Sequence, residues 1–127
     1  MAVRGIRGAT TVDRNERDEI IAAAKELLQA IIEANEIDPD DVASAWFTTT
    51  ADLNAEFPAV GARQMGWTSV PLMCGHEMSV PGSLPMCLRI LLHVNTDKGP
   101  HEVQHIYIRG ASALRPALST STFSTAR

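Results

Sequence analysis

A single arginine inside an otherwise apolar run, Cys87-Leu88-Arg89-Ile90-Leu91-Leu92-His93-Val94, sets the hardest constraint on how this chain can fold. The run has the content of a core strand, and a guanidinium keeps its proton at physiological pH. If that strand is buried, Arg89 needs an anionic or strongly polar partner, because an unpaired interior charge is too costly. Either a carboxylate of the protein supplies the partner, making Arg89 a structural ion pair, or a ligand does.

The remaining chain supplies the scaffold for that run. Its 127 residues suit one domain, large enough to bury a core without disulfides or metal, and 45% apolar with 20% charged residues is the balance of a folded protein. Asp13 to Glu36 carries the clearest periodicity, with Ile20, Ile21, Ala24, Leu27, Leu28, Ile31 and Ile32 at helical spacing between charges. Asn15 is the expected N-cap, and the acids of the outer stripe read as a solvated face. Asp38-Pro39-Asp40-Asp41 predicts a second, short helical start, and Phe57 to Gly66 predicts a helix that begins after Pro58 and stops at Gly66.

Strands are predicted over Val3–Val12, Val42–Thr50, Trp67–Cys74, the central run through Thr96, and Ile106–Arg109, where β-branched and aromatic residues concentrate. In the first of these, glycines alternate with larger residues, which suits close approach by another backbone or a ligand, and Arg4 and Arg7 must point to opposite faces. One long helix with about five strands makes an α+β domain whose mixed sheet is covered on one face. The domain is expected over 1–115, and the Ser/Thr/Ala-rich segment 116–127 is expected to be a mobile tail.

Charge and motifs remove several function classes. The net charge of -4 argues against nucleic acid as a partner, yet ten acids and five bases fall before Val42, against five acids and six bases after it. A cationic pocket is therefore open to the second part of the chain, where arginine suits two-pronged recognition of carboxylates. No apolar run reaches membrane-spanning length, and Arg4 and Arg7 are followed by no hydrophobic signal core, so a cytoplasmic protein is expected. Cys74 and Cys87 form no C-x-x-C pair and are expected to be reduced thiols.

His101-Glu102-Val103-Gln104-His105 matches the zinc motif H-E-x-x-H. The strand-like Ile106-Tyr107-Ile108 leaves barely one turn of helix, and the other histidines, His76 and His93, both precede the motif, so no metal is expected. The chain also lacks a Gly-rich phosphate loop and a G-x-S-x-G elbow, and Cys74 with His76 forms no recognisable nucleophile pair.

What remains is a set of polar groups at the edges of apolar strands: Arg7, Arg63, Cys74, Glu77, Arg89, Tyr107 and Arg115. Several cations with one carboxylate suit a small dianion that also bears a hydroxyl. Here the chain resembles the AroH-class monofunctional chorismate mutases. The resemblance rests on Arg4-Gly5-Ile6-Arg7-Gly8-Ala9-Thr10-Thr11-Val12, Phe57-Pro58-Ala59, Gly66-Trp67, Val70-Pro71, Glu77-Met78, Cys87-Leu88-Arg89 and Leu114-Arg115-Pro116, and spans nearly the full length except the tail.

The resemblance implies a homotrimeric pseudo-α/β barrel with three sites at subunit interfaces, and the Claisen-type rearrangement of chorismate to prephenate in phenylalanine and tyrosine biosynthesis. Carried over by position, Arg89 would face the breaking ether C–O bond, Arg7 a substrate carboxylate, Glu77 and Cys74 the ring hydroxyl, and Tyr107 the side-chain carboxylate. Phe57, Ala59, Met73 and Leu114 would form the wall, with Arg63 and Arg115 drawing the dianion to the entrance. The pattern departs at Val60, a place where lysine would be expected, and in the segment between Arg63 and Trp67, which is one residue short; both bear on Arg63. A pericyclic step needs no nucleophile, proton transfer, metal or cofactor, which agrees with the residue inventory. If the site is an open cleft, unliganded Arg89 rests against Glu77 or solvent. A non-catalytic trimeric module that binds a small dicarboxylate is the alternative reading.

Overall fold

The computed structural model describes residues 1–114, so Arg115 and the segment 116–127 lie outside the described residues. Strands β1 (Ala2–Thr11), β2 (Val42–Thr49), β3 (Leu72–His76), β4 (Cys87–Thr96) and β5 (Ile106–Tyr107) alternate with helices α1 (Arg17–Asn35) and α2 (Ala59–Gln64). They form one five-stranded sheet in the order β3-β2-β4-β1-β5. β1 and β2 both run antiparallel to β4, which fills the gap between them, while β3 adds parallel to β2 and β5 parallel to β1.

The helical stripe read from the sequence is the face α1 buries: Ile20, Ala24, Leu27, Leu28 and Ile31 share one core with Ile6, Ala45, Phe47, Leu88, Ile90, Leu92 and Val94 of the sheet, and Ile21 is buried beside them on the helix. An ideal Cβ at Gly8 would lie 2.7 Å from Ile31 Cδ1 and 3.1 Å from the Ile106 carbonyl oxygen. Only glycine lets α1 and β5 close on β1 there, which is the close backbone approach expected of this strand.

The central run is strand β4, but it is not buried on both faces. Leu88, Ile90, Leu92 and Val94 point to α1, whereas Arg89 is exposed on the opposite face and Leu91 and His93 there are half-buried. Alternation thus releases Arg89 from the core. Among the described residues that second face carries no α-helix, only the 3-10 turn Arg109–Leu114 against Ala9 and Cys87, and Val3, Trp46 and Met73 stand exposed on it. Arg4 and Arg7 do fall on opposite faces, with Arg4 Nε donating to the Lys98 carbonyl at 3.0 Å.

Three expectations are corrected. Asn15 is not the cap of α1: the N-cap residue is Glu16, without a capping side chain. Asn15 Oδ1 instead accepts the backbone N–H groups of Asn54 and Ala55, both at 3.0 Å, tying that loop to the residues before α1. Trp67 is not in a strand; its side chain is buried in the core, and its N–H closes the end of α2 on the Ala62 carbonyl after Gly66 turns at φ 94°. β3 begins only at Leu72, after Pro71. At the other edge β5 stops at Tyr107, because Arg109 adopts φ 52° and opens a 3-10 turn through Leu114. Two hydrogen bonds of 2.7 and 2.8 Å from Arg109 to Glu26 tie this turn to α1. No helix among the described residues is long and apolar enough to cross a membrane.

Candidate active site

Three neighbouring strands aim polar side chains at the sheet face that α1 leaves open. Arg89 on β4 lies opposite Ala9 of β1 on one side and Thr48 of β2 on the other, Arg7 lies opposite Leu91, and Tyr107 on β5 pairs with Ala9. Register thus puts Arg7, Arg89 and Tyr107 on one face. Together with Gly8, Trp46, Thr48, Glu77, Ile90 and Leu91 they line a pocket of about 310 Å³.

Glu77 enters just beyond β3, where its backbone N–H donates to the Thr49 carbonyl at 2.8 Å. Its Oε2 accepts the Thr48 hydroxyl at 2.5 Å and lies 3.9 Å from Arg89 Nε. The second distance is an ion pair without a hydrogen bond, and both side chains are partly exposed, so the contact is weak. Arg89 therefore rests against Glu77 in an open cleft and is not sealed in a core pair. Tyr107 is buried with Ala9, Cys87 and Ala111, and Leu114 packs against the same cluster.

The other expected site residues gather elsewhere. Phe57, Pro58, Cys74, Gly75 and His76 line a second cavity of about 350 Å³ beside the edge strand β3. Phe57 is largely exposed, and the Cys74 thiol is pushed up by burial, against the opposing pull of a hydrogen bond at the Ala59 backbone and the charge of Arg63. Cys74 pairs with Phe47 and so points to the α1 side of the sheet, away from Arg89. Among the described residues, Cys74 thus lines the cavity beside β3 while Glu77 lines the arginine pocket.

Ala59 is buried at the start of α2, and its backbone is hydrogen-bonded to the Cys74 thiol. Met73 pairs with Trp46 on the open sheet face, apart from the Phe57 cavity. Arg115 falls outside the described residues. Thr48, Trp46 and Leu91 line the arginine pocket without having been singled out in the sequence; only the β2–β4 register, which sets Thr48 against Arg89, reveals them. The His101–Val103 part of the H-E-x-x-H match forms a turn, so its histidines are not presented on one helical face.

A family model described as "Chorismate mutase type I" matches residues 3–118. The chain is 44% identical over 120 residues to a protein named "Chorismate mutase AroH" from Bacillus subtilis, covering 94% of each chain. It is 46% identical to one of the same name from Thermus thermophilus, covering 94% of this chain and 98% of the relative. Among solved structures, a chorismate mutase from Clostridium thermocellum superposes with a TM-score of 0.85 at 51% identity, over 86% of this chain and 97% of that one.

Proposed function

Because this chain belongs to the chorismate mutase type I family, we propose that it rearranges chorismate to prephenate in a homotrimer whose sites are shared between neighbouring protomers. It is an isomerase of aromatic amino acid biosynthesis. The observation that carries the reading is the pocket in which Arg7, Arg89 and Tyr107 converge from three adjacent strands beside Glu77.

The reaction breaks an ether C–O bond and forms a C–C bond within one molecule, so the protein supplies placement and electrostatics. Arg89 donates to the ether oxygen as negative charge develops there, Arg7 binds a substrate carboxylate, and Tyr107 binds the side-chain carboxylate. Glu77 accepts the ring hydroxyl, and Thr48 fixes the carboxylate that does so. Holding the dianion in its compact conformer removes part of the barrier as entropy. A millionfold acceleration corresponds to about 8 kcal/mol, and one preorganised donor to the developing charge contributes roughly 3–4 kcal/mol of it. No step moves a proton, and none calls for a cofactor.

Two features support sharing between protomers. The Phe57–Cys74 cavity lies apart from the arginine pocket, and the open sheet face exposes Trp46, Met73 and Val3, which a neighbouring copy would cover. Cys74, Phe57, the Ala59 backbone and Arg63 then complete the pocket of the adjacent protomer, with Leu114 and Met73 as apolar wall and Arg115 at the entrance. The cytoplasm is the proposed location, in keeping with two free thiols.

The non-catalytic dicarboxylate module gains no support from the relatives described, each named as a chorismate mutase. The deciding experiment follows chorismate loss against its spontaneous background while sedimentation gives the mass of the active species. Catalysis by a trimer is expected; turnover by a monomer would sink the shared site, and no turnover the whole reading.

A further inference from the structure

We propose that His105 is a positioning residue for the reaction: its Nδ1 accepts the backbone N–H of Arg7 at 3.0 Å and thereby sets where the Arg7 side chain leaves β1. The proposal rests on the reading of Arg7 as a ligand of a substrate carboxylate.

The need for a side-chain acceptor follows from the shortness of β5. Its parallel ladder on β1 consists of Gly8 with Ile106 and Ala9 with Tyr107. His105 stands immediately before this ladder, where the imidazole takes the Arg7 N–H in place of a backbone carbonyl. The backbone leading into His105 is itself anchored. Asn35, buried at the end of α1, accepts the Gln104 N–H at 2.7 Å and donates to the Gln104 carbonyl at 2.9 Å. His105 therefore enters from a backbone fixed independently of the site and grips the strand that carries Arg7. Two residues further on, the same segment presents Tyr107, so one anchored stretch sets the spacing of both proposed carboxylate ligands.

Accepting this bond requires a neutral ring with its proton on Nε2. Burial first, and then the nearby Arg7 charge, hold the His105 pKa below its usual range, which keeps Nδ1 free at neutral pH. Of the neighbouring acids, Glu102 is engaged by the Gly99 N–H at 2.6 Å, and α1 contributes the uncharged Asn35. Arg7 is the charged group that bears on the ring.

The test compares kcat and KM for chorismate in the full-length protein carrying His105→Leu, His105→Asn or His105→Gln, with and without Arg7→Ala. His105→Leu is expected to raise KM about tenfold, the order of one lost hydrogen bond, with an unchanged circular dichroism spectrum. His105→Asn recovers most of the loss because its amide oxygen can sit where Nδ1 does, whereas His105→Gln, one carbon longer, does not. In the Arg7→Ala background the same His105 changes cost nothing further. Equal KM for the Asn and Gln variants, or an undiminished cost without Arg7, overturns the proposal even if the Leu variant fails to fold. A silent Arg7→Ala would instead overturn the role of Arg7 itself.

Discussion

Thr48 Oγ1 holds Glu77 Oε2 at 2.5 Å while Arg89 Nε stays 3.9 Å from that same oxygen. The carboxylate is thus positioned by a neutral hydroxyl, and the guanidinium is left close to it but not tied by a hydrogen bond. A cation in that state can turn to a substrate oxygen without first breaking a strong internal pair.

Arg89→Lys keeps the charge but loses the planar fork and its reach. The expected outcome is a drop of about 10²–10³-fold in kcat, as for removal of one preorganised donor to a developing charge. Near-normal kcat in steady-state assays would remove Arg89 from its assigned role.

Thr48→Val preserves shape on β2 and deletes the hydroxyl that orients Glu77. A loss of about tenfold in kcat/KM is expected, with a melting temperature close to wild type because Thr48 is only half-buried. Full activity in this variant would show that Glu77 needs no such anchor.

With no general acid or base, kcat/KM should be nearly flat around neutrality, and a bell-shaped profile with pKa values near 6 and 8 would point to proton transfer. Stability should behave differently. The folded-state pKa of His105 lies below its ordinary 6.5, so the unfolded chain takes up the proton first, and stability declines as pH falls below 6.5 towards the folded value. Glu26, lowered from 4.5 by its hydrogen bond from Arg109, adds stability above 4.5 that is lost as pH falls through its folded value. Urea midpoints at neutral and mildly acidic pH test the first effect, and the acid-side decline should be smaller in His105→Asn.

Gly8→Val forces a side chain into space already held by Ile31 and the Ile106 carbonyl. The overpacking should cost about 1–3 kcal/mol and loosen β5, with activity falling as Tyr107 shifts. A melting temperature equal to wild type would mean that α1 and β5 yield more easily than their spacing suggests.

Much of this was legible in residue order, for physical reasons that differ by element. The α1 stripe and the strand content of β1, β2 and β4 were readable because helical and strand periods are local properties of a dozen residues. Asn15 misled as a cap, since its partners, the N–H groups of Asn54 and Ala55, lie far along the chain. Trp67 misled as a strand residue, because aromatic content cannot distinguish a strand from a turn whose side chain drops into the core. The arginines and Glu77 could be singled out by chemistry and family resemblance, but Thr48 could not, being one of three consecutive threonines until register chooses it.

The sequence by itself determined that α1 and a mixed sheet share one core, and that an arginine with no local carboxylate sits in the central strand. Tertiary structure alone decided that Arg89 faces away from this core, that Arg7, Glu77 and Tyr107 meet it in one pocket, and that Cys74 turns to the other side. The reason is that side-chain period is written along the chain, whereas register and the pairing of distant strands arise only when the sheet closes.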